Sequence, residues 1–335
     1  MDVGVTLPPV PRRSADSARM AEELGFHTVL FPDSQNLAPE VWGQLMLAAR
    51  TTRRVQLGPG VTNCVTRDPA VTASAALALQ VESEGRAVLG LGRGDSAVQR
   101  IGRREERVAA FERDLVALQA YLRGEAVDRD GFPSRLEWLE HVRAPKVPVV
   151  VVATGPKVIA TAARHADGVC LAVGADPKHV GAMLAHARAA AAAAGREPGS
   201  VRWGAFVTTV VHDDVRVARD AVRGVAATFA RFSAFAGSPL ETLPPPLAAA
   251  ARWLRERYDM RVHTRADAPH AAGLPDEFVD WFAIAGPPDV ARERFRALAH
   301  LGLDFCWVVP GSPGMPREVA VSSIARLGRE VIGGA

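Results

Sequence analysis

Four turns, each following an apolar run, carry groups able to hold a ligand or move a proton. They are FPDSQ (31–35), GPGVTN (58–63), GLGRGDS (90–96) and ATGPK (153–157). Asp33 and Asp95 offer carboxylates for proton handling or for accepting hydrogen bonds, and Ser34 and Ser96 add hydroxyls beside them. Glycine at Gly58 and Gly60 removes the Cβ, so a planar ligand can approach the backbone, and Gly90, Gly92 and Gly94 make a second such ridge around Arg93. Thr154-Gly155-Pro156-Lys157 opens a helix, with proline suited to its first turn. Free amides at a helix start attract anions, and Lys157 adds positive charge. Helix capping by Asp95, Ser96 and Thr154, and turn formation at Asp33, are the plainer readings. Four ligand-like tips in one chain favour a pocket.

The elements that position these turns alternate. Eight apolar runs occur at 3–7, 27–31, 55–61, 86–92, 147–153, 168–173, 201–211 and 305–311. Helical patterns lie between them, near 14–24, 39–53, 69–84, 105–123, 156–165, 176–195, 213–235 and 287–301, with a closing helix at 316–332. Continuous rather than alternating apolar runs are the mark of buried parallel strands. Eight such repeats predict an α/β fold, a (β/α)8 TIM barrel whose chemistry sits at the carboxyl ends of its strands. An open Rossmann-like sheet fits less well, because Gly90, Gly92 and Gly94 give GxGxG rather than GxGxxG, and after the fourth run rather than the first.

Two segments interrupt the repeat, at about 124–146 and 236–285. The first holds the turn signal DRDGFP; the second begins at AGSPLETLPPP. Long insertions in a barrel shape the substrate pocket. Tyr258, Asp259, His263, Thr264, Arg265 and His270 are therefore candidates for substrate contact, with ordinary loop polarity as the alternative. The expectation is one elaborated barrel over 1–335.

Composition narrows the function classes. Apolar residues make up 48% and charged residues 23%, enough for a large core, and a formal charge of +3 gives no nucleic-acid footprint. Cys64, Cys170 and Cys306 are scattered without a CxxC pair, so neither a disulfide scaffold nor a metal site is expected. No signal layout or spanning stretch is read, and the expectation is a soluble cytoplasmic protein with no membrane partner.

The four turns together resemble those of the luciferase-like flavin and deazaflavin oxidoreductases, within them the branch around methylenetetrahydromethanopterin reductase. GPGVTNCVTRDPAVTASA (58–75), RAVLGLGRGDSA (86–97) and ATGPKVIATAARHADG (153–168) carry the likeness. It implies a bacterial-luciferase-like barrel, a homodimer, and coenzyme F420 as cofactor. It also implies a non-prolyl cis peptide at Gly60-Val61 in the bulge that backs the deazaflavin ring. Asp33 would then bond the ring edge, Thr62 and Asn63 would lie at the ring, and Arg93, Gly94, Asp95 and Ser96 would line the pocket. Ala153, Thr154, Gly155, Pro156 and Lys157 would hold the cofactor phosphate. Alcohol- and sugar-oxidising relatives carry a histidine where this chain has Ser34, which favours a reductase acting on a C=C, C=N or related small-molecule substrate. Asp95 aligns with an acidic residue that transfers protons in some relatives, and Ser34 and Asp33 join it as catalytic candidates. Tyr258, His263 and Arg265 stand for the substrate side. The alternatives are an FMN-dependent monooxygenase and a flavin-binding barrel without catalysis.

Overall fold

A computed structural model describes residues 1–232 and 245–333, apart from the side chain of Pro246. The strands are β1 (Asp2–Thr6), β2 (Thr28–Phe31), β3 (Gln56–Pro59), β4 (Leu89–Leu91), β5 (Val127–Arg129), β6 (Phe132–Ser134), β7 (Val149–Ala153), β8 (Gly168–Leu171), β9 (Arg202–Val211), β10 (Ala283–Gly286) and β11 (Phe305–Val309). Eight of them run in the order β3-β2-β1-β11-β9-β8-β7-β4. All the pairs along that path are parallel. Single parallel bridges, Leu57 to Ala87 and Thr62 to Leu91, join β3 to the β4 segment and nearly close the ring. The fold is the expected barrel.

Alternation along each strand separates two cores. Val29, Val149, Val151, Val169, Leu171, Ala205 and Val207 face outward and pack with the helices. Leu30, Val150, Cys170, Phe206, Phe305 and Trp307 face inward and form a separate buried cluster. The bulky members plug the barrel. A Cβ at Gly204 would lie 2.3 Å from the Phe305 ring, and one at Gly4 would lie 2.7 Å from Trp307, so bare backbone makes room for these aromatics. Nearer the carboxyl ends the inward positions are small, Ala172 and Val152 among them, and the barrel opens into a cavity.

The insertions behave differently from each other. The first forms a hairpin about its turn signal, β5 pairing antiparallel with β6. The second begins outside the described residues and contains the helices Pro245–Arg257, Pro269–Ala272 and Asp276–Phe282. It also ends earlier than expected. Residues 283–286 form β10, which pairs in parallel with the carboxyl half of β9. AIAG has too little β-branched content to announce a strand. It becomes one because β9, at ten residues, outruns its barrel neighbours and offers a free ladder. The closing helix is Arg317–Arg326, and its last turns, 327–332, widen to a π-helix.

Candidate active site

The cavity at the carboxyl ends of the strands has a volume of about 730 Å³. All four turns reach it. Asp33, Ser34, Gly60, Val61, Thr62 and Asn63 form one side, and Arg93, Gly94, Asp95 and Ser96 form the next. Ala153 and Thr154 contribute from β7, while Tyr258 and His263 come from the second insertion. Phe206, Phe229, Phe232 and Leu254 supply an apolar wall.

At the tip of β2, Asp33 is buried and tightly held. Thr62 Oγ1 donates to its Oδ2 at 2.7 Å, and Arg67 Nη1 donates to the same oxygen at 2.5 Å. Burial raises the Asp33 pKa, while the Thr62 hydrogen bond and the Arg67 charge pull it back. The next residue, Ser34, has its hydroxyl 3.0 Å from that of Ser96. Asn63 is buried and spends its Oδ1 on the amides of Val65 and Thr66, so its carbonyl folds the turn that presents Arg67.

The Gly60-Val61 peptide is cis, as the resemblance implied. The glycines serve packing as much as ligand approach. A Cβ on Gly58 would strike the Val88 carbonyl at 1.8 Å, and one on Gly60 would meet Leu30 at 2.8 Å. Neighbouring strands, rather than a ligand, exclude side chains there. Gly94 differs: its φ of +89° and the proximity of Val98 both bar a side chain.

Asp95 belongs to a second, looser constellation. His263 Nε2 lies 3.6 Å from its Oδ2 and Arg231 Nη1 3.8 Å from its Oδ1, while Gln99 Nε2 donates to Oδ1 at 3.1 Å. Burial pushes the Asp95 pKa up to about 6, against the pull of Arg231. Burial, then the charges of Arg231, Arg100 and His270, bring His263 down to about 4. The Tyr258 hydroxyl is 2.7 Å from His263 Nδ1, and burial raises its pKa to about 12. Arg231 lies 4.6 Å above the Tyr258 ring, and Arg100 Nη2 donates to the Met260 carbonyl at 2.8 Å. The insertion is thereby fastened to the turn that carries Asp95.

At the end of β7, the helix Pro156–His165 has Gly155 rather than Thr154 at its N-cap, and no side chain caps it. A Cβ on Gly155 would meet nothing within 4 Å, which leaves the helix start open to a ligand. Lys157 is exposed beside it. This opening, the apolar wall and the volume fit a flavin-sized group with a phosphate.

Residues 2–304 match the model of the luciferase-like monooxygenase family. The chain belongs to this family. It is 31% identical over 333 residues to the 5,10-methylenetetrahydromethanopterin reductase of Methanolobus tindarius, covering 95% of each chain. The reductase of the same name from Archaeoglobus fulgidus is 33% identical over 320 residues, with 94% of this chain and 93% of that one covered. Among solved structures, the coenzyme F420 dependent tetrahydromethanopterin reductase from Methanopyrus kandleri superposes with a TM-score of 0.76 at 24% identity, covering 99% of each chain, and supports the fold.

Some expected contacts of this luciferase-like barrel lie elsewhere. Arg265 does not line the cavity; its guanidinium pairs with Asp267 at 2.7 Å on the surface. Asp259 pairs with Arg261 at 2.8 Å, and His270 is buried under Tyr258, ring centroids 4.2 Å apart. Local ion pairs between near neighbours satisfy Arg265 and Asp259 without a ligand. Arg67, Thr228 and Arg231 were not anticipated. Arg67 sits inside the quoted GPGVTNCVTRDP stretch, and the need of buried Asp33 for a cation was its signal. Arg231 was marked only by a charge on an otherwise apolar helix face. Cys64, Cys170 and Cys306 are buried free thiols, and burial raises the pKa of each.

Proposed function

We propose that the protein is an F420-dependent oxidoreductase acting as a reductase on a C=C, C=N or related bond of a small molecule. Full-length similarity to two methylenetetrahydromethanopterin reductases carries this reading, in a chain whose four matching turns converge on one cavity. Bound in its reduced form, the deazaflavin supplies a hydride. The chain supplies the rest. Asp33, fixed by Arg67 and Thr62, orients the ring edge, while Gly60, Val61, Thr62 and Asn63 back the ring. Arg93, Gly94 and Ser96 flank it. Thr154, Gly155, Pro156 and Lys157 present the open helix start to the phosphate. Tyr258 and His263 face the substrate, and the phenylalanine wall excludes water. Asp95 holds the proton that accompanies the hydride, because its burial keeps a carboxylic acid available near neutral pH. A second copy of the chain is the proposed protein partner.

The deciding experiment is equilibrium binding of F420 and FMN in parallel, each oxidised and reduced. Preference for F420, followed by F420-linked reduction of unsaturated or imine compounds, is the expected result. Preference for reduced FMN with oxygen uptake would overturn it in favour of a monooxygenase. Binding of F420 without turnover across a broad panel would point to a barrel that has lost catalysis.

A further inference from the structure

Thr228, in the helix Val215–Phe232, donates its one hydroxyl proton to the Gly224 carbonyl one turn back, at 3.0 Å. Its oxygen, 2.8 Å from Tyr258 Oη, is thereby left to accept, and the tyrosine proton points toward threonine. Tyr258 Oη then accepts from its other neighbours, the Thr264 amide and the nitrogen 2.7 Å away, His263 Nδ1. An acceptor oxygen at that distance requires Nδ1 to carry the hydrogen. Neutral His263 has one N–H, so Nε2 is bare, and Nε2 is the atom facing Asp95 Oδ2 at 3.6 Å. A lone pair aimed at a carboxylate is repulsive until a proton lies between them.

We propose that His263 is a positioning residue for the site's proton: the Thr228–Tyr258 chain fixes its Nδ1–H tautomer, and the bare Nε2 keeps one proton on Asp95 at the cavity wall. This rests on the reading of the site as a reductase. In turnover the Asp95 O–H bond breaks as the substrate's new N–H or C–H bond forms. Hydride from the reduced deazaflavin completes the two-electron reduction, and the carboxylate regains its proton from solvent. The charged and titratable groups facing the pair come from every element around it. Arg231 and Arg100 oppose a second proton on His263, Glu105 favours protonation of Asp95, and His270 lies behind Tyr258. Arg255 lines the same cavity.

Nitrogen-15 NMR of histidine-labelled, cofactor-free protein tests the tautomer directly. The expected result is a neutral His263 protonated at Nδ1, with Nε2 shifting through a midpoint near pH 6 as the pair takes up its proton. Thr228→Val keeps the side-chain shape but frees the tyrosine proton to turn to Nδ1. It should move His263 toward the Nε2–H tautomer and lower the midpoint by about one pH unit, with about tenfold less turnover well above the midpoint. Tyr258→Phe should act in the same direction, and T228V decides should that variant fail to fold. An Nε2–H tautomer in the wild type, or a midpoint that T228V leaves in place, overturns the proposal. The NMR result stands whether or not F420 binds, whereas F420 turnover alongside an Nε2–H tautomer would remove this inference and leave the reductase reading intact.

Discussion

The cavity holds two aspartates beyond strand tips, Asp33 buried and Asp95 half-buried, and their partners differ as well. Asp33 has two donors on a single oxygen, at 2.7 and 2.5 Å, and its side chain is 4% exposed. Asp95 is 26% exposed; its close donor is the neutral Gln99 amide at 3.1 Å, with neutral His263 at 3.6 Å and the Arg231 cation at 3.8 Å. Burial raises both pKa values, that of Asp95 to about 6, while at Asp33 the Thr62 hydrogen bond and the Arg67 charge pull against it. A cation in contact holds a carboxylate in place and favours its charged form; one kept at a distance leaves it freer to change its proton. The first arrangement suits a cofactor anchor and the second a proton carrier.

The hardest test of that contrast is Asp95→Asn, which keeps shape and removes the proton. Turnover is expected to fall by about 10²- to 10⁴-fold, the span of general acid catalysis, with F420 affinity within a fewfold of wild type. Asp33→Asn should instead weaken cofactor binding. Equal losses of affinity from both would erase the distinction.

Next in size is Arg67→Met. It leaves a buried Asp33 with Thr62 alone, at an expected cost of about 1–3 kcal/mol in denaturant unfolding at pH 7. Without the cation Asp33 takes up a proton more readily, so the deficit should shrink toward pH 4. A pH-independent deficit would mean that Arg67 serves packing only.

The looser site has its own signature in stability against pH. The folded Asp95 binds its proton more tightly than the unfolded chain does, so its contribution falls as pH rises from about 4 to 6. His263 has its folded pKa depressed to about 4, so its contribution rises with pH from there to the ordinary imidazole range. The two slopes oppose each other over the same window. D95N removes the falling one, and its stability should climb more steeply than wild type between pH 4 and 6. Parallel curves in urea melts would place both groups in water rather than in a buried pair.

The tight site was the more legible in the sequence. Asp33 and the GPGVTN turn lie on barrel tips, where apolar runs and glycines announce position, and Arg67 was within the same quoted stretch. The loose site joins residues far apart in the chain. Asp95, Tyr258 and His263 each stood out as polar residues in turns or an insertion, but their meeting depends on Arg100 pinning Met260, which no local pattern records. Thr228 and Arg231 read as ordinary helix residues, since their partners come from another element. The β10 strand was hidden for the same reason: its ladder is supplied by an overlong β9 rather than by its own residues.

Ser34 lies between the two aspartates in role, and Ser34→Ala sharpens the comparison by the smallest change. Its hydroxyl sits 3.0 Å from that of Ser96, and among the described residues no base pairs with it that would raise its nucleophilicity. One neutral hydrogen bond contributes about 1 kcal/mol, or about fivefold in a rate or affinity. S34A should therefore cost less than tenfold in kcat/KM and leave the pH profile where it is, because the proposed reaction draws its proton from Asp95. A loss comparable to that of D95N, or a displaced pH profile, would move the proton chemistry from the Asp95 side of the cavity to the β2 tip, and Asp33 with it from anchor to participant.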